Sequence, residues 1–354
     1  MKSFWRACAA FTLVASVLAL ATTTVAHSGQ SPDSSVIDSA APRLHVDGKH
    51  FKNAAGEVVV LRGLSLIELH DLHLNRSGHR FTIDLVTDRT RGWFPTVLRL
   101  PVFPDYYLPD PAGYVEKYLH PAVQYCTAKG LYCIIDWHYG VSPFERDRET
   151  RRFWKDIAPR YKDYPNVLYE IFNELDTTKW VTGRLWRKWR DQAQQWVDLI
   201  REAAPENIVL IGGPYWSHQI RGAAEYPLAG RNLAYVAHVY PGGHYPNFFG
   251  WNLGVDGWER NIGEVADKHP VFITEWGYGF SEGSEVNGTR ANFGRPFKKW
   301  ADEKGVSWTA WVADYDWRPV MFDRDWELTE FGKFVHEWLR ENAGPPPGRR
   351  RTGE

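Results

Sequence analysis

Cysteine and methionine are scarce in this chain, at three and two of its 354 residues. Cys8 falls in the N-terminal segment, so Cys126 and Cys133 form the one pair that could bridge. Their C-x6-C spacing, without partner His or Cys residues, is not that of a zinc site. One ends a helical pattern and the other lies in the next strand, which favours two separate buried thiols, although export would permit a disulfide. An excess of either charge is also missing: Lys and Arg total 42 against 43 Asp and Glu. No global field therefore draws the chain to nucleic acid or to an anionic membrane, and a neutral partner is expected. The apolar run Ala7–Ala21 is too short to span a bilayer comfortably. It follows Lys2 and Arg6 and leads into small residues through Ala26, the pattern of a secretory signal, so residues 1–26 are set apart and the remainder is expected outside the cytoplasm, secreted or periplasmic. Residues 27–41 are Ser-rich and residues 344–354 are a Gly, Pro and Arg run; both read as disordered ends, leaving 42–343 as a single domain.

What is present is apolar and aromatic: 44% of residues are hydrophobic, and 18 are Trp. That content suits one large packed domain. From residue 96 onward, short β-branched or aromatic runs alternate with longer segments of helical period. Strands are expected at Val59–Leu64, Thr96–Leu100, Tyr132–Asp136, Leu168–Phe172, Ile208–Ile211, Ala234–Val239, Val271–Thr274 and Ser307–Trp311. Between them, Trp186, Trp189, Ala193, Trp196 and Ile200 recur every three or four residues and stop before Pro205. Phe293, Phe297 and Trp300 behave alike, as do Phe331, Phe334 and Trp338; these stripes read as core. A preceding hairpin, LHVDGKHFKNAAGEVVVLRG, has turn signals at Asp47-Gly48 and around Ala55-Gly56 and would plug the bottom of the fold. Eight such units predict a (β/α)8 TIM barrel of the α/β class, whose chemistry sits at the C-terminal ends of the strands.

Those ends are where polar groups collect. Arg99 follows the second apolar run, His138 the third, Asn173 and Glu174 the fourth, His238 and Tyr240 the sixth, Glu275 the seventh and Trp311 the eighth. Singly, each has a structural reading, as a satisfied charge or a packed ring. Together they do not, because a core gains little from burying Arg99, Glu174 and Glu275 when apolar residues of similar volume would often be as stable. Two acids on the fourth and seventh strands face each other across the barrel mouth, which is the geometry of glycoside cleavage: one protonates the leaving oxygen while the other, roughly 5 Å away in retaining enzymes, attacks the anomeric carbon. A partly desolvated Glu174 suits the acid, and an ionised Glu275 beside Arg99 and the Tyr240 hydroxyl suits the nucleophile.

The stretches VLRLP, DWH, FNE, HVY and TEWG, with Trp311 closing the eighth strand, resemble family five of the glycoside hydrolases from Leu44 to about Leu339. The resemblance implies a retaining β-glycanase with Glu174 as acid/base and Glu275 as nucleophile. It implies that Asn173 binds the 2-hydroxyl of the cleaved sugar, that His138 and His238 bond that sugar or the catalytic groups, and that Trp311 stacks on it. The family commonly has Pro after the acid/base, where this chain has Leu175. An endo-β-1,4-glucanase of cellulase type is the expected activity; a β-mannanase, or an exo-acting β-mannosidase or β-glucosidase, is the alternative.

Loop tryptophans on the same face, Trp216, Trp251, Trp317 and Trp326, would line a polysaccharide cleft, Trp216 foremost. Two rivals remain. A metal-dependent hydrolase is suggested by His70 and His73 in ELHDLH and by Asp136 two residues before His138, but the two histidines lie in a loop without the usual zinc-site helix pattern, and no Cys or carboxylate set completes a ligand sphere. A non-catalytic glycan-binding barrel would use the same aromatics without needing both acids. The expectation is therefore a monomer that takes a β-linked polysaccharide or oligosaccharide, with no cofactor or metal and no nucleic-acid or membrane partner.

Overall fold

The computed structural model describes residues 37–177, 181–242, 254–280 and 286–343. The signal-type segment 1–26, most of the 27–41 linker, the 344–354 tail and Trp251 lie outside the described residues. Within them, eight parallel strands close into a barrel: β1 (Arg62–Ser65), β2 (Val97–Val102), β3 (Tyr132–Trp137), β4 (Val167–Glu170), β5 (Val209–Ile211), β6 (Leu233–Val239), β7 (Val271–Trp276) and β8 (Ser307–Ala310). β8 pairs with β1 through Trp308, Thr309 and Ala310 against Arg62, Gly63 and Leu64, which shuts the cylinder. The (β/α)8 expectation is met.

One boundary differs. The run Val59–Leu64 is not one strand: Val58–Val59 pairs with Phe51 and Lys52, and β1 starts only at Arg62. The run VVLRGL gives no sign of the break, because where each piece pairs is not written in its own sequence. The expected hairpin is accordingly a three-stranded antiparallel meander, His45–Asp47, His50–Lys52 and Val58–Val59. Its first turn has Gly48 at φ 58°, a left-handed conformation that glycine adopts without Cβ strain. Phe51, Leu44 and Ala41 pack under the barrel against Leu61, Val97, Ile134, Leu168, Leu210, Val236 and Phe272.

Those last residues point into the lumen, and the period of two along a strand places the next inward layer two residues higher. That layer is Arg99 above Val97, Asp136 above Ile134, Glu170 above Leu168, His238 above Val236 and Thr274 above Phe272, all fully buried. The barrel interior thus changes from apolar to ionic within one step of the pleat.

Outward-facing strand residues meet the helices. In the helix Gly183–Ala203 the predicted stripe Trp186, Trp189, Ala193, Trp196 and Ile200 is buried, and Thr182 caps the helix by accepting from Leu185 N. Trp276 packs against Phe297, Trp308, Phe331 and Trp338 on the outside of β7 and β8. Much of the tryptophan content is therefore strand–helix packing. Cys126 and Cys133 are both buried and free, as their positions suggested.

Candidate active site

Arg99 organises the ionic layer. Its Nε donates to Glu170 Oε2 at 2.7 Å and its Nη2 to Glu170 Oε1 at 3.2 Å. Nη2 also donates to Asn173 Oδ1 at 2.6 Å and lies 3.0 Å from Asp136 Oδ2. Nη1 donates to Glu275 Oε1 at 2.8 Å. An uncompensated guanidinium in a fully buried position would be severely destabilising; a planar fork held by three carboxylates and an amide is the arrangement that makes it tolerable.

Glu275 reaches this layer through an irregularity. β6 and β7 pair as Ala237 with Ile273 and then His238 with Glu275, so the ladder passes over Thr274. Strict alternation from Phe272 would send Thr274 inward and Glu275 outward. The extra residue turns both toward the lumen, the usual effect of a bulge. Tyr240 then donates to Glu275 Oε2 at 2.8 Å. Burial pushes the Glu275 carboxyl up, but His238 and Arg99 outweigh it, helped by the Tyr240 hydroxyl, and hold it down at about 2.

Glu174 is placed differently. With Leu175 it forms a short parallel pair with Gly140–Val141, and its N–H donates to Tyr139 O at 2.8 Å. Leu175, where the resemblance leads one to expect Pro, is buried in that pairing. The Glu174 side chain keeps 23% of its surface in solvent, whereas that of Glu275 keeps 7%. Its Oε1 faces His238 Nδ1 at 2.9 Å. One oxygen of Glu174, one of Glu275 and a His238 ring nitrogen all lie within 4.8 Å of one another. Burial opposes a charge on His238, but Glu275, Glu170 and Glu174 together overcome this and raise it to about 10.

His138 closes the other side. Its Nδ1 is 2.6 Å from Asp136 Oδ2, and its ring stacks with those of Phe103, at 4.3 Å, and Trp311, at 5.5 Å and 10° from parallel. Trp317 extends this aromatic wall, 5.6 Å from Phe103 and 6.2 Å from Trp311. Trp326 instead packs among Phe81, Tyr315 and Phe322.

Arg99, His138, Asn173, Glu174, His238, Tyr240, Glu275 and Trp311 are thus joined by direct contacts into one cluster. Trp216 sits on the turn after β5, half-buried, with its ring 5.0 Å from that of Tyr215. Tyr215, Trp216 and Ser217 all have positive φ, at 59°, 49° and 57°, a left-handed turn that costs roughly 1–2 kcal/mol per non-glycine residue. Its return is a clamp: Ser217 Oγ donates to Asn173 O at 2.8 Å while His238 N donates to Ser217 O at 3.0 Å.

Sequence reasoning missed Glu170, Thr274, Phe103 and Ser217. Glu170 had a signal, since counting by two from Leu168 reaches it. Thr274 had the same signal, counting by two from Phe272; the bulge that turns Glu275 inward beside it had none. His70 and His73 lie in the helix Leu69–Asn75, not in a loop. Its start is capped by the buried Glu68, whose Oε2 accepts from Asp71 N at 2.7 Å, and a glutamate cap is not among the usual helix-start signals. Their rings pack on Tyr106 and Tyr118. The one cluster with ligand spacing among the described residues is Glu174, His238 and Glu275. Arg99 and Tyr240 donate to the two Glu275 oxygens, and the Arg99 guanidinium, with a His238 whose proton is held more tightly than usual, opposes a further cation there.

The family model for cellulase, glycosyl hydrolase family 5, matches residues 53–316. The chain belongs to glycoside hydrolase family 5. It is 29% identical to endoglucanase A of Evansella cellulosilytica over 310 residues, 82% of this chain and 58% of the relative. It is 27% identical to endoglucanase E-5 of Thermobifida fusca over 293 residues, 78% of this chain and 56% of that one. The chain spans a little over half the length of these two relatives. A beta-glucanase of Saccharophagus degradans, solved with cellotetraose, superposes with a TM-score of 0.76 at 27% identity, covering 87% of this chain and 96% of that one. Among the described residues no helix is long and apolar enough to cross a membrane.

Proposed function

We propose that this protein is a retaining β-glycoside hydrolase that cleaves β-1,4-linked glucan internally, with Glu275 as nucleophile and Glu174 as acid/base. The observation that carries the reading is that the two carboxylates lie within 4.8 Å of each other in opposite surroundings. Retaining hydrolysis needs carboxyls about 5 Å apart, one held ionised and one able to exchange a proton with the leaving group and then with water. Glu275, fixed by Arg99 and Tyr240, attacks the anomeric carbon. Glu174 donates its proton to the departing oxygen, then as carboxylate takes a proton from the water that breaks the glycosyl–Glu275 bond.

Asn173 gives its amide oxygen to Arg99, which turns the amide NH2 toward the sugar and leaves it to donate to the 2-hydroxyl. That bond strengthens as positive charge grows on the ring, so it acts mainly in the transition state. Trp311 and His138 offer a flat wall to the sugar face. The endoglucanase names of the relatives and the cellotetraose in the Saccharophagus structure support a β-1,4-glucan as substrate. The signal-like composition of residues 1–26 supports action outside the cytoplasm.

The decisive experiment follows the anomer released from soluble β-1,4-glucan by proton NMR, alongside viscosity and reducing ends. The β-anomer should appear first, with viscosity falling well before reducing ends accumulate. Initial release of the α-anomer would overturn the mechanism, and no hydrolysis of any β-1,4-glucan would overturn the substrate.

A further inference from the structure

The hydrogen bonds around His238 fix which of its nitrogens is protonated. Nε2 lies 3.1 Å from Thr274 Oγ1, and that hydroxyl donates to Glu170 Oε1 at 2.8 Å. Glu170 receives two guanidinium N–H bonds from Arg99, so it is a carboxylate that accepts and cannot donate. A hydroxyl has one proton. If it goes to Glu170, only oxygen lone pairs face the ring, and Nε2 must supply the proton between them. The other nitrogen, Nδ1, faces Glu174 Oε1 at 2.9 Å.

We propose that Glu170, acting through the Thr274 hydroxyl, keeps a proton on Nε2 of His238, so that a single further proton is shared between Nδ1 and Glu174 and serves as the acid of the reaction. Glu170 and Thr274 are then positioning residues for the acid/base. The inference rests on the role proposed for Glu174. In the first step the Glu174–H bond breaks and the proton passes to the leaving oxygen as the glycosidic C–O bond breaks and the Glu275–carbon bond forms. What remains is a Glu174 carboxylate facing an unprotonated Nδ1, two acceptors in contact. That repulsion favours taking a proton back from the attacking water in the second step, which restores the pair.

The groups facing His238 are consistent with one defined charge state. Glu170 and Glu174 approach from β4 and the residues after it, Glu275 from β7 and His218 from the turn after β5, its Nδ1 2.9 Å from His238 O. Tyr240, on the same strand, is committed to Glu275, and Arg99 stands behind Glu170 and Glu275 with Asp136 at its far side. Thr274 faces the ring at the inward phase of β7, two residues above Phe272, and the bulge brings Glu275 in beside it.

The test compares pH profiles of kcat/KM on soluble β-glucan for the full chain. Thr274→Val removes the hydroxyl and keeps the shape; its alkaline limb should fall by about one pH unit, with kcat affected more than KM. Thr274→Ser, which restores the hydroxyl, should return the limb to within about 0.3 unit of wild type. Nitrogen-15 NMR of wild-type His238 should show Nε2 protonated throughout that limb while Nδ1 titrates. Superimposable wild-type and Thr274→Val limbs, a uniform loss of rate at every pH, or deprotonation at Nε2 before Nδ1 would each overturn the proposal. Because the NMR readout needs no turnover and no variant, it judges the relay even where the wild type proves inactive and the functional reading itself fails.

Discussion

Two layers of the barrel lumen lie one pleat apart and are held by different physics. Val97, Ile134, Leu168, Val236 and Phe272 form an apolar plug with the meander beneath, where energy depends on area and volume and neighbours are interchangeable within limits. Arg99, Asp136, Glu170, His238 and Thr274, two residues higher on the same strands, are bound by charge and by the direction of each proton, so every member depends on the others. The lower layer stabilises the fold, and the upper one holds a charge distribution ready for chemistry. Each expected result below separates the two.

The largest effect is expected at the rim of the ionic layer. Glu275→Gln should lower kcat on soluble β-glucan by roughly four orders of magnitude, as for other covalent catalysts that lose their nucleophile, with the fold kept, because the amide oxygen still accepts from Arg99, but with the melting temperature lowered by the lost charge. Glu174→Ala should lose roughly 10²–10⁴-fold on a glycan, and added azide should recover turnover on an activated aryl glycoside, since azide needs no general base. A glycosyl azide of retained configuration is the product to look for.

Next is Arg99→Met, which leaves Glu170, Asp136 and Glu275 buried without their common cation. Breaking a buried ionic network in this way costs about 3–5 kcal/mol, to be read as a drop in denaturant midpoint at constant m-value. A loss below about 1 kcal/mol would mean that the layer is held by packing like the one beneath it.

How much of this contrast was legible beforehand follows from what sequence periodicity can encode. All eight strands fall within a few residues of their expected places because each is an apolar run bounded by helical period, and Glu174 and Glu275 stood out because they interrupt such runs. Glu170 lay in plain sight at the inward phase of β4, yet an acid inside VLYE reads as surface until Arg99 is known to be opposite. The bulge at Thr274, the left-handed turn at Tyr215–Ser217 and the split before β1 are backbone events that depend on what each strand pairs with, and a one-dimensional pattern carries no pairing. The helical His70 and His73 were hidden by an unusual cap.

Stability against pH gives a smaller and signed version of the comparison. Glu275 is held at about 2, below its ordinary 4.5, so its contribution is present above 4.5 and is lost as pH falls toward 2. His238 is raised from 6.5 to about 10, so its contribution is complete below 6.5 and is lost as pH rises toward 10. Stability should therefore decline on both sides of a plateau at about pH 5–6, and His238→Gln should flatten the alkaline side most while also making the acid side shallower, because His238 is the largest influence holding Glu275 down. An unchanged alkaline slope in that variant would place the responsible group elsewhere.

The smallest effect is expected one pleat down. Phe272→Leu removes part of a ring from the apolar plug and should cost about 1–2 kcal/mol of stability. Its consequence for catalysis should be nearly nil, because no proton or charge in the upper layer is bonded to that side chain; what couples the layers is the strand backbone, which the substitution leaves in place. The pH profile of kcat/KM is the sensitive readout. If it shifts, then the packing of the plug sets the geometry of Thr274 two residues above, and the two layers act as one.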